Sequence, residues 1–209
     1  MVTRGQFLER ATVIPAVDGV LEALSHRGTR APPLLIVPPP PGRGGMDHAV
    51  AAELAWAASR GGHPTLRFNF RGVGASPGRP GDGDSQLQDI EAALRALAET
   101  AGRVACAVVG LGGSAMSLLS LAETHPSLAG VALVSPEELP VEALARARCP
   151  LLVLMGDAEP GRRVDLAAAV AEAGGRFVVV PGADARFQRN LSEVGRSLAR
   201  WLESLAPSA

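Results

Sequence analysis

The chain has 209 residues, 47% of them hydrophobic and 20% charged, and its formal net charge is −1. Such a chain buries a sizeable core and is too apolar for intrinsic disorder, and its scattered, nearly balanced charge offers no footprint for nucleic acid or an anionic membrane. All 20 basic residues are Arg, which reads as a high-GC coding bias, and the absence of Tyr with only 3% aromatic residues argues against a site built on stacking.

From the amino end, Met1–Arg10 has no apolar signal core, and no run along the chain reaches transmembrane length. Residues 13–26 are expected to give one or two strands at a sheet edge. Leu34–Val37 is the first clear strand, followed by a helix that starts near Asp47 and stops at Gly61-Gly62. Thr65–Phe70 is the next strand, and 72–83 is a Gly/Pro loop. Asp84 or Ser85 caps a second helix whose Leu87, Ile90, Leu94 and Leu97 share one face.

Val104–Val109 is a strand, then Gly110-Leu111-Gly112-Gly113-Ser114 leads into a helix over 115–123. Strands follow at Gly130–Val134, Leu151–Met155 and Phe177–Val180, with helices over 141–146, 164–173 and 191–205. The last helix buries Leu191, Val194, Leu198, Trp201 and Leu205. Cys106 and Cys149 beside apolar runs read as reduced, buried thiols of a cytoplasmic protein, with no metal or disulfide spacing. Strands alternating with helices predict one α/β domain over 1–209, with edge strands in 1–30 and the core in 31–209. Its sheet is doubly wound and mostly parallel, with helices on both faces and no lid.

In such a sheet, ligands meet the loops at the carboxyl ends of the strands, here 38–46, 71–83, 110–114, 135–139, 156–161 and 181–187. Residues 34–46 and 66–78 (LRFNFRGVGASPG) resemble a family of small, lidless bacterial α/β hydrolases. That family pairs a His-Pro-His-Pro-x-x-Gly-Gly-x-Met stretch with a Phe-Asn-Phe-Arg-Gly-Val-Gly-x-Ser segment. The second matches through Phe68, Asn69, Phe70, Arg71, Gly72, Val73, Gly74 and Ser76. The first keeps Gly44, Gly45 and Met46, while Pro38 and Pro40 stand where the histidines belong.

The resemblance implies a Gly-x-Ser-x-Gly elbow that exposes a serine nucleophile. Gly112 occupies the nucleophile position here, and it has no side chain with which to form an acyl-enzyme. The resemblance places the catalytic acid after the Leu151–Met155 strand, where Glu159 or Asp157 is available. It places the base directly after Pro181-Gly182-Ala183-Asp184, where Ala185 stands.

Several features admit a second reading. Ser114 is the nucleophile of a shifted frame or, more in keeping with a first helical turn, a capping residue. His48 is a substitute base or a solvated first-turn histidine. Gly110–Ala115 also matches the dinucleotide fingerprint, but without the acidic residue that motif needs further on. Arg71 braces its loop or clamps substrate. Asp157, Glu159 and Asp184 lack the His or Cys company that a transition metal prefers. Consecutive N–H groups at Gly112, Gly113 and Ser114 make a site for an anion.

The function expected from these residues is non-catalytic: a hydrolase-like domain that binds a small molecule or a protein partner through Gly112, Gly113, Ser114, Pro40, Arg43 and His48. It is expected to use no metal or cofactor, and to self-associate or pair with an active homologue. The alternative is an atypical hydrolase of esters or thioesters that uses Ser114 or a water.

Overall fold

The computed structural model describes residues 8–17, 19–137, 139–157 and 160–205, the last stretch without the side chains of 160–163. Glu159 lies outside the described residues. A hairpin of β1 (Arg10–Ala16) and β2 (Gly19–His26) opens the chain and forms the sheet edge. Strands β3 (Leu34–Val37), β4 (Thr65–Phe68), β5 (Ala107–Leu111), β6 (Gly130–Val134), β7 (Leu151–Gly156) and β8 (Arg176–Val180) follow. Helices α1 (Ala49–Arg60), α2 (Gly83–Thr100), α3 (Ala115–Thr124), α4 (Val141–Leu144), α5 (Pro160–Glu172) and α6 (Leu191–Leu205) connect them or close the chain. The eight strands form one sheet in the order β1-β2-β4-β3-β5-β6-β7-β8, antiparallel through β1, β2 and β4 and parallel from β4 to β8.

The central strands are apolar at every position because both faces are covered. Leu35 and Val37 of β3, with Val108, Leu133 and Val153 on the neighbouring strands, pack under α2, α3 and α5. Leu34 and Ile36, with Val109, Ala132 and Leu154, turn to the other face under α1 and α6. Gly110 lets α3 approach β5 closely, since a Cβ there would lie 2.6 Å from a Leu118 methyl.

Several element ends differ from the sequence reading. Strand β4 stops at Phe68, two residues short of the expected end, although the Asn69 N–H still donates to the Glu22 carbonyl at 2.9 Å. Strand β5 starts at Ala107 and not Val104, which is exposed. Helix α2 is capped by Asp82, whose carboxylate accepts the Ser85 N–H at 3.2 Å, so Asp84 and Ser85 fall inside its first turn. Helix α1 is capped by His48 and not Asp47. Among the described residues, no helix is long and apolar enough to cross a membrane, and no group of three or more His, Cys, Asp or Glu side chains is placed to hold a metal.

Candidate active site

The parallel strands deliver the β3, β5, β6 and β8 loops to one edge of the sheet, where they enclose an open cavity of about 620 Å³. Its wall includes Pro39, Arg43, His48, Leu111, Gly112, Ser135, Glu137, Ala185, Arg186 and Phe187. Of the four non-glycine residues at positive φ among the described residues, Ser135 (41°) and Phe187 (52°) belong to this wall. Strain of this kind persists where surrounding structure holds it, and it concentrates at functional sites.

Strand β5 ends at Leu111, and Gly112–Ser114 forms a tight turn into α3. Gly112 sits at φ 56°, the left-handed region that a glycine enters freely. Ser114 is fully buried, and its hydroxyl donates to the Pro38 carbonyl at 2.7 Å. This corrects its place among the ligand-binding residues and weighs against it as a nucleophile: its one proton ties the head of α3 to the end of β3. Pro40 is also corrected. Pro39 lines the cavity, whereas the Pro40 ring packs where a Cβ on Gly113 would lie, 3.0 Å away.

After Pro38–Pro41 the loop turns back, the Arg43 N–H donating to the Pro40 carbonyl at 3.0 Å. Four consecutive prolines offer no N–H. The cation that this loop brings to the cavity is the Arg43 guanidinium, which donates to Glu137 Oε1 at 3.0 Å. The Glu137 carboxylate lies over the elbow: a Cβ added at Gly112 would stand 3.5 Å from Oε1, and one at Gly113 3.5 Å from Oε2. A carboxylate of the chain itself thus stands beside the glycine-rich turn at which an anion is expected.

His48 is a half-buried wall residue and a helix cap, not a solvated one. Its Nδ1 accepts the Val50 N–H at 3.3 Å, and burial holds its pKa below the ordinary histidine value. In the neutral ring the proton therefore resides on Nε2. At the β8 loop, Ala185 faces the cavity. Asp157 accepts the Gly182 N–H at 3.4 Å, while Asp184 accepts those of Arg186 at 3.2 Å and Gln188 at 2.9 Å. Both aspartates order the loop.

The long sequence motif proves to be scaffolding around this site. Asn69 accepts the Met46 N–H at 2.7 Å and donates to Glu22 at 2.8 Å, tying the β3 loop to the β4 loop and to β2. Ser76 donates to the Asn69 carbonyl at 2.8 Å and accepts the Glu22 N–H at 2.9 Å. Arg71 pairs with the fully buried Asp89 at 2.7 Å and braces its loop against α2. Arg67 is buried against Glu9 and the Met46 carbonyl.

Of the residues singled out in the sequence, the structure brings Gly112, Arg43, His48 and Ala185 to one cavity wall. Sequence reasoning missed Glu137 and Arg186, which belong to no motif. The signal that could have found Glu137 is its place in the short loop leaving the carboxyl end of a parallel strand.

No protein-family model matches the sequence, and no curated protein matches it. Solved structures do. An alpha-beta serine hydrolase homologue from Coxiella burnetii is similar at 27% identity and TM-score 0.79, over 92% of this chain and 97% of that one. A serine hydrolase without a lid from Xanthomonas campestris is similar at 21% identity and TM-score 0.79, over 96% of each chain. A dienelactone hydrolase from Anabaena variabilis is similar at 16% identity and TM-score 0.78, over 96% of this chain and 99% of that one. These neighbours are hydrolases or a hydrolase homologue, and they overturn the expectation of a non-enzymatic binding or scaffold domain, which rested on the missing nucleophile at Gly112 and the missing base at Ala185. The chain has the α/β-hydrolase fold without a lid, and the proteins that share this architecture include lidless serine hydrolases and their homologues.

Proposed function

We propose that the chain is a hydrolase of esters or thioesters in which a water activated by Glu137 replaces a side-chain nucleophile. The observation that carries this reading is the carboxylate over Gly112, in an open cavity, where a serine side chain would otherwise project. The missing side chain leaves room for the water. The hydrolase neighbours support the same reaction class.

Glu137 accepts a proton from the water as the water oxygen bonds to the acyl carbon. The oxyanion so formed is held by the Arg43 guanidinium and by N–H groups at the head of α3. Its collapse breaks the acyl–oxygen or acyl–sulfur bond, and the leaving group takes its proton from Glu137. His48, protonated on Nε2, serves as a hydrogen-bond donor toward substrate and not as the base. The products are a carboxylic acid and an alcohol or thiol.

The test is hydrolysis of a short-chain ester and a short-chain thioester by the parent, Glu137→Gln and Ser114→Ala proteins. Turnover is expected in the parent, and Glu137→Gln is expected to lose about 100-fold or more, the ordinary weight of a general base. Ser114→Ala is expected to keep its turnover and to lose stability. Loss of activity in Ser114→Ala with activity retained in Glu137→Gln, together with stoichiometric fluorophosphonate labelling at Ser114, would overturn the proposal.

A further inference from the structure

The hydrolytic step leaves one charged group of the cavity unused. Arg186 stands in the wall between Ala185 and Phe187. Its backbone is fixed: Asp184 Oδ1 accepts both its N–H and that of Gln188, and the neighbouring Phe187 is buried at φ 52°. Arg43 in the same wall is matched by Glu137 at 3.0 Å. Among the described residues, the Arg186 guanidinium has neither an ion pair nor a hydrogen bond. Burial favours the neutral His48 ring. Among the described residues of the wall, Arg186, an exposed residue, is therefore the one positive charge without a partner, next to the apolar surfaces of Val50, Leu111, Val134 and Phe187.

We infer that Arg186 is a specificity-determining residue, and that the preferred substrates are esters or thioesters whose acyl chain ends in a carboxylate. A guanidinium presents a planar fork that matches a carboxylate with two parallel hydrogen bonds. One carboxylate balances the one free charge. A phosphate dianion would exceed it and would face Glu137. The methylenes of a short diacid half-ester lie against the apolar wall, and a cavity of about 620 Å³ holds a molecule of that size. The acyl carbon then sits over Gly112 while the distal carboxylate reaches the β8 loop.

This inference rests on the hydrolase proposal for turnover but not for binding, so the experiment has two arms. In the first, methanol release is followed from monomethyl glutarate and from methyl pentanoate, which differ by a carboxylate in place of a terminal methyl. The parent is expected to favour monomethyl glutarate in kcat/KM by about tenfold to hundredfold, the scale of one charge-assisted contact. Arg186→Ala is expected to remove that preference, mainly through KM. Arg186→Lys is expected to restore part of it, since an ammonium keeps the charge without the fork.

In the second arm, calorimetry measures binding of the amide analogue glutaramate to the parent, in which Arg43 stays paired with Glu137, with and without Arg186→Ala. The added substitution is expected to weaken binding at least tenfold. Equal kcat/KM for the two esters in the parent, a preference that survives Arg186→Ala, or binding indifferent to Arg186→Ala would each overturn the inference. If neither ester is hydrolysed, the hydrolase proposal fails and the binding arm alone decides the carboxylate site.

Discussion

Gly112 is the residue at which one side chain would most change the chemistry. A Cβ at this position meets Glu137 Oε1 at 3.5 Å, an ordinary contact, so a serine fits. The φ of 56° costs such a side chain about 1 kcal/mol or more. Its Cβ and hydroxyl would take the volume assigned to the attacking water, and no histidine stands after Asp184 to activate the hydroxyl. Gly112→Ser is therefore expected to fold, to melt a few degrees lower, and to hydrolyse esters more slowly than the parent. A gain in turnover with covalent labelling at position 112 would show that a serine mechanism was one substitution away. The same reasoning separates Ser114 from catalysis: its hydroxyl proton is already committed to Pro38.

At the scale of elements, the segment after β4 holds three parts of the fold in register. Arg71 gives Asp89 three hydrogen bonds, from its N–H at 3.0 Å, Nε at 3.0 Å and Nη2 at 2.7 Å, and Asp89 is fully buried on α2. Removing one partner strands the other as an uncompensated buried charge. Asp89→Ala is expected to cost about 3–5 kcal/mol in urea unfolding, and Asp89→Asn less, because the amide oxygen still accepts. A loss below about 1 kcal/mol, the scale of an exposed pair, would place the bridge in solvent instead. The consequence for function is indirect. The loop that Arg71 braces carries Ser76 and packs against Asn69, and Asn69 in turn orders the β3 loop that brings Arg43 to the cavity.

For the molecule as a whole, one sheet serves two cores. Trp201 of α6 is buried on one face, while Cys106 lies buried on the other and Cys149 packs against it. Burial pushes both thiols up to about 11, so the native protein is expected to alkylate slowly at mildly alkaline pH. Neither layer of helices can bury its apolar stripe without the shared strands, so both faces are expected to unfold together. In a Trp56→Phe background, where Trp201 is the sole tryptophan, its fluorescence change and pulsed thiol labelling should share one urea midpoint. Separate midpoints would show that the faces unfold as distinct units.

What the sequence determined by itself is what local chemistry encodes. Apolar runs broken by glycine and proline marked the α/β class and the six strands from β3 to β8, while 13–26 was legible only as one or two edge strands, and the 3.6-residue period of 191–205 marked the span and buried face of α6. The FNFRGVGAS segment marked the right architecture, and the glycines after β5 marked the elbow. Strand ends were less legible: β4 stops two residues before its apolar run ends, and the Asn69 side chain that follows is held by Glu22, 47 positions earlier in the chain. The chemistry of the candidate site was the least legible part. The text at positions 112 and 185 records only what is missing, and the chain was read as inactive on that ground. Only the tertiary structure put Glu137 over Gly112, sent the Ser114 hydroxyl to Pro38, and left Arg186 in the cavity wall as its unmatched charge. The physical reason is that these groups come from loops after different strands. They become neighbours only when parallel pairing brings those loops to one edge of the sheet, and no local pattern records that pairing.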